Sequence, residues 1–196
     1  MRCYIVTAVL AALVVWSVPA SASLPYYNQD LGYTIWLSGE WSEAPDAYLS
    51  TFGQVHDGVA AHMVGWEAGY TLKGKASASL LVSQLHGRVV SKASIGNFNQ
   101  HVIKGIARCA RDVPEWTNQG RVQLNKANFN AKKNMLRLEM DATDPAGKHT
   151  TTIVYIVYTS TGMLKFVGLV EPGDRQGVQA IDDAVSTLYL DYGLRQ

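Results

Sequence analysis

The chain has 196 residues, 47% of them hydrophobic and 17% charged, with 17 basic side chains against 16 acidic. That length supports one domain with a real core, and so even a charge does not draw the molecule as a whole to nucleic acid or anionic lipid. Its only cysteines are Cys3 and Cys109, which excludes a scaffold built on disulfides.

The amino terminus carries Arg2, an apolar run from Ile5 to Val18, and then Ala20-Ser21-Ala22. A basic start, an apolar middle and a small-x-small site are the three parts of a secretory signal peptide. The run is shorter than the roughly 20 residues a helix needs to cross a bilayer. Cys3 precedes the run, so it is not placed to carry a lipoprotein's lipid. Residues 1–22 are therefore expected to be a cleaved leader and residues 23–196 a single domain, periplasmic or secreted, with no transmembrane segment after cleavage. Removing Arg2 balances the charge, and Cys109 is left without a partner for an internal disulfide.

In GYTIWLSGEW, Tyr33, Ile35 and Leu37 fall on one face of a strand and Thr34, Trp36 and Ser38 on the other, before a turn at Ser38-Gly39. Pro45 suits the first turn of a short helix carrying Ala47, Tyr48, Leu49 and Phe52. The stretch from Gly53 to Lys75 is punctuated by Gly53, Gly58, Gly65, Gly69 and Gly74, with a strand expected near Gly69 to Leu72. A firmer strand follows from Ala78 to His86.

From Ser94 to Arg111 the period changes. Ile95, Phe98, Val102, Ile106 and Cys109 recur at three and four, one face of a helix, with Ser94 as its expected cap and Pro114 as its limit. Lys104, Arg108 and Arg111 read as a solvated stripe near the carboxyl end of that helix. Met135 to Ala142 alternates, Asp144-Pro145-Ala146-Gly147 turns, and Thr150 to Tyr158 answers as the second strand of a hairpin. IVYIVY and LKFVGLV are apolar at nearly every position, which predicts strands covered on both faces. Val178, Ile181, Val185 and Leu188 mark a closing helix with Asp182-Asp183 turned away from the core. The fold class that follows is α+β, a mostly antiparallel sheet sandwiched between helices.

Several of these segments together resemble the PsbP-like superfamily. They are GYTIWLSGEW behind the leader, a Leu-rich strand before a long amphipathic helix, the meander KNMLRLEMDATDPAGKHTTTIVYIVYTSTGMLKFVGLV, and the closing AIDDAVSTLYL. Members typically place Pro, Gly and Trp after the opening strand, whereas here the turn reads Ser38-Gly39-Glu40-Trp41 without the proline. The superfamily spans extrinsic photosystem proteins, a Ran-binding import factor, DcrB-like envelope lipoproteins and exported bacterial proteins. The resemblance implies an α/β/α sandwich and non-enzymatic binding or assembly work, and it transfers no site residue, since fold does not carry function.

Motifs for chemistry are sparse: the chain contains no HExxH, GxSxG, GxGxxG or CxxC. His56 and His62 are six apart, which matches neither helical nor strand spacing for paired ligands, and no metal or cofactor is expected. Asp141, Asp144 and Gly147 fit a hairpin turn with less strain on the pattern than a calcium loop. Cys109 shares a helix face with Ile95 and Ile106, where a cysteine acts as a small hydrophobe.

Partner contacts are instead expected in the glycine-bearing stretch, at Trp66, Tyr70, His56 and His62, although aromatics in such places more often cap a sheet edge. Trp116 lies in a similar setting. The reading is an exported binding or assembly module of the bacterial cell envelope, engaging an unknown protein or small ligand. The alternative is a small cysteine-dependent hydrolase or ligand-binding enzyme using Cys109 and a histidine.

Overall fold

The structure, a computed structural model, describes residues 23–55, 65–73, 78–85, 89–112, 121–143 and 147–191. Chain order runs β1 (Ser23–Asn28), β2 (Tyr33–Ser38), β3 (Trp41–Glu43), α1 (Asp46–Val55), β4 (Ala68–Leu72), β5 (Ser79–Leu85) and α2 (Ile95–Asp112). It continues with β6 (Arg121–Asn130), β7 (Met135–Thr143), β8 (His149–Tyr158), β9 (Met163–Val170), α3 (Arg175–Ser186) and β10 (Tyr189–Leu190). Seven strands form one sheet in the order β3-β4-β5-β9-β8-β7-β6, and β1-β2-β10 form a second. Every described pairing is antiparallel. The fold is thus α+β, with the large sheet lying between helices.

Alternation along the central strands creates two cores. Ile153, Tyr155 and Val157 of β8, Leu164 and Phe166 of β9, and Leu80 and Val82 of β5 face Tyr33, Ile35 and Leu37 of β2 together with Ile181, Ala184 and Val185 of α3. On the opposite face, Leu136, Leu138, Ile156 and Tyr158 meet Ile95, Phe98, Val102 and Ile106 of α2. β8 is buried on both sides over Tyr155 to Tyr158, as its apolar run requires, whereas on the α2 side of β9 Met163, Lys165 and Leu169 are only half-buried. One cover is more than a helix: the small sheet and α3 share that layer.

The start of α1 and both ends of α3 have local causes. The Pro45 carbonyl accepts from the amides of Tyr48 and Leu49, starting α1. Asp174 caps α3 by accepting from the Gly177 amide at 3.0 Å, and Lys133 donates from its ammonium to the Ser186 carbonyl at the far end. Ser94 does not cap α2 as expected. It ends a 3-10 turn, Lys92–Ser94, with its hydroxyl paired to that of Ser91 at 2.7 Å.

α3 approaches β9 closely because Gly168 lacks a side chain. A Cβ there would lie 2.7 Å from Ile181 Cδ1 and 2.8 Å from Ile181 Cγ2. Gly168→Ala should therefore cost about 1–3 kcal/mol in urea unfolding, and Ile181→Val in the same chain should return part of that loss. An unchanged midpoint for Gly168→Ala would mean that α3 does not seat this tightly.

The long edge strand β6 is protected against pairing with another chain. Its register shifts between Leu124 and Lys126, Asn125 turns its amide to Asp141 at 2.7 Å, and Lys126 lies 3.6 Å from Glu139. A bulge and a lysine on an edge both discourage strand addition.

Candidate functional site

The small sheet places aromatic side chains on its outer face. Tyr33, Ile35 and Leu37 of β2 are fully buried, so Thr34 and Trp36 point the other way. Antiparallel register sets Tyr27 of β1 and Tyr189 of β10 on either side of Thr34, and Pro25 beside Trp36. Strands spaced about 4.8 Å apart put Tyr27 and Tyr189 roughly 10 Å from each other, with Trp36 diagonal to both. Tyr27 is 61% exposed, Tyr189 60% and Trp36 38%. The Tyr27 hydroxyl donates to Asp191 at 3.2 Å. The Trp36 amide donates to Thr187 Oγ1 at 2.9 Å, and that hydroxyl donates to the Trp36 carbonyl at 3.1 Å, tying the face to the end of α3. The result is a firmly held surface of large rings with polar tips, the composition that suits a contact surface.

The sequence places Trp36 on the face opposite Tyr33, Ile35 and Leu37, but assigns no strand to Tyr27 or Tyr189. The available signal was the pair of tyrosines at 26 and 27, one of which must face outward in any strand.

Of the expected contact residues, Trp66 and Tyr70 are among those described. Tyr70 is 3% exposed; its hydroxyl pairs with that of Tyr33 at 2.9 Å and its ring meets Tyr26 edge-on at 5.4 Å. Burial comes first among the causes that hold the Tyr70 and Tyr33 phenols above their ordinary range, so this pair stays protonated. Tyr70 is thus packed into the core. Trp66 is half-buried, with the Lys165 ammonium 4.9 Å from its ring centroid. His56, His62, Trp116 and His86 lie outside the described residues, as does the side chain of Cys109, although position 109 belongs to α2. Of the remaining histidines, His101 is exposed, and His149 Nδ1 lies 2.9 Å from the Thr143 hydroxyl. Among the described residues no cluster of His, Cys, Asp or Glu could hold a metal, and no helix is long and apolar enough to cross a membrane.

Asp182 departs from expectation. It does not turn away from the core but accepts from Arg137 Nε at 2.7 Å and Nη2 at 3.0 Å, and from the Tyr155 hydroxyl. Arg137 also donates to Glu139 at 2.9 Å and lies over the Tyr155 ring at 5.9 Å. Burial works to lower the Arg137 pKa, but the hydrogen bonds to Asp182 and Glu139 outweigh it and hold the guanidinium charged. Burial, reinforced by Asp182, raises the Tyr155 phenol. This network fastens α3 to the sheet.

No family model matches the sequence, and no curated protein matches it. Among solved structures the chain is similar to the cyanobacterial PsbP protein, CyanoP, of Synechocystis. The identity is 11% and the TM-score 0.51, over 89% of this chain and 95% of that one. It also aligns with LpqN of Mycobacterium tuberculosis, a protein involved in cell envelope biogenesis, at 12% identity and a TM-score of 0.46, over 86% of this chain and 90% of that one. At such identities the likeness is one of fold alone, and the antiparallel sheet between its two covers is a PsbP-like fold.

Proposed function

We propose that the chain is an exported, non-enzymatic binding or assembly module of the bacterial cell envelope, and that it meets its partner through the outer face of the small sheet. The observation that carries this reading is the grouping of Tyr27, Trp36 and Tyr189 on one exposed face whose backbone is fixed by β2 and α3. The leader-like residues 1–22 support export, with processing after Ala22 and a periplasmic or secreted product. Large rings on a rigid support lose little conformational entropy on binding, which favours recognition.

A photoreactive residue introduced at Thr34, at the centre of this face, should give a discrete adduct in the native envelope, while one at Lys126 on the far edge strand should give none. Replacing Tyr27, Trp36 and Tyr189 together by alanine should abolish the adduct and move the melting temperature by only a few degrees, since all three are substantially exposed. No adduct from Thr34, or an undiminished one in the triple variant, would sink the proposal.

A further inference from the structure

On the opposite side of the molecule, the face of the large sheet that bears α1 and α2 carries a second polar group of residues that the reading above does not use. α1 covers this face over β4, where a Cβ at Gly69 would meet Leu49 and Leu81. α2 covers it over β7 and β8, through Leu136, Leu138, Ile156 and Tyr158. Over the central strands β5 and β9, between those covers, Ser83 and Lys165 are direct cross-strand partners on this face. Such partners hold their Cβ atoms roughly 5 Å apart.

Among the described residues, neither side chain has the partner its chemistry calls for. Ser83 is fully buried and its hydroxyl makes no hydrogen bond. The Lys165 ammonium rests over the Trp66 ring and, among the described residues, has no carboxylate partner. A third unused donor lies on the same face: Asn99 of α2 accepts the Tyr158 hydroxyl through its Oδ1 but leaves its buried Nδ2 without an acceptor. Tyr158 is opposite Met163, two residues from Lys165 on the same face of β9, so Asn99 overlies a diagonal neighbour of the lysine. Native interiors rarely leave buried donors unmatched, and of the two unmatched side-chain atoms found among the described residues, Ser83 Oγ and Asn99 Nδ2, the first belongs to the cross-strand partner of Lys165.

We propose that this face holds a binding site for a small organic monocarboxylate, with Lys165 and Ser83 donating to the two carboxylate oxygens and Trp66 closing one side. The donors define the ligand. A single ammonium beside a hydroxyl matches the charge and the two acceptors of a carboxylate, and is too little for a dianionic phosphate. The surrounding Leu81, Ile156 and Val167 are buried and apolar, which favours an apolar body behind the carboxylate and excludes water from the ion pair. Burial holds the Lys165 pKa below its ordinary value, a cost that a bound anion offsets.

The test uses benzoate as probe and follows the indole N–H resonance of Trp66, assigned by its loss in Trp66→Phe. Benzoate should shift that resonance saturably at a roughly millimolar Kd. Lys165→Met, which keeps the length and removes the charge, should weaken binding about tenfold or more. Ser83→Ala, which removes one oxygen and leaves the core intact, should weaken it several-fold at an unchanged melting temperature. Inorganic phosphate should produce no saturable shift. The proposal is overturned if benzoate produces none either, if phosphate binds as well, or if Ser83→Ala binds benzoate like the parent. The aromatic face of the small sheet takes no part in this experiment, so its result is independent of the adduct formed from Thr34.

Discussion

Asp182→Ala is expected to destabilise the protein by about 3 kcal/mol, the usual scale for removing one partner from a partly buried ion pair, and to lower the melting temperature by roughly 10 °C. The loss has two sources. Arg137 gives up a two-pronged interaction and keeps only Glu139 as a counter-charge, and the Tyr155 hydroxyl loses its acceptor in a buried position. Asp183→Ala is the internal control. That residue is next in sequence but exposed, where its carboxylate accepts, among the described residues, only from Gln179 at 2.7 Å, so its removal should cost under about 0.5 kcal/mol. Adding Arg137→Met to Asp182→Ala should restore part of the stability, because the uncompensated charge is then gone. Equal losses for Asp182→Ala and Asp183→Ala in urea unfolding would mean that the network does not hold α3.

A larger effect is expected at Phe166. Its side chain is fully buried at the centre of β9 and meets Tyr33 of β2 edge-on, with ring centroids 5.4 Å apart and planes at 72°. The ring lies where the two sheets face each other, so Phe166→Ala leaves a cavity that neither strand can collapse into, at a cost of about 4 kcal/mol. Phe166→Leu keeps most of the volume and should cost less than half as much. Amide exchange in β2 should accelerate more in Phe166→Ala than exchange in β7, because the small sheet loses a main anchor while β7 keeps its ladder and its contacts with α2. A cost below about 1 kcal/mol would mean that the two sheets do not share this core.

Much of the fold was legible from local pattern. The period of two in β2 and β7, the period near 3.6 in α2 and α3, and the unbroken apolar runs of β8 and β9 each record which sides of an element are covered. Cover is written residue by residue in the chain. Those patterns, with the turn-forming residue types at 144–147 and the glycines and prolines between elements, determine an antiparallel α+β sandwich without reference to any contact. The candidate contact residues were less legible. Tyr70 and Trp66 are near neighbours in sequence with similar chemistry, yet one is core and the other lies half-buried beneath Lys165.

What only the tertiary structure decided is whatever depends on a distant partner. β1, β3, β6 and β10 are short or polar, and each becomes a strand because a neighbouring strand satisfies its backbone amides and carbonyls. Asp182 follows the spacing of an exposed residue and is drawn inward by Arg137, 45 positions earlier in the chain. Tyr27, Trp36 and Tyr189 meet on one face only once β1 and β10 have flanked β2. Ser83, Lys165 and Asn99 likewise share a face through strand register and the seating of α2. Hydrophobic periodicity is a local record of burial, whereas the pairing of strands and of polar groups is chosen among residues far apart in sequence, so no window of the chain contains it.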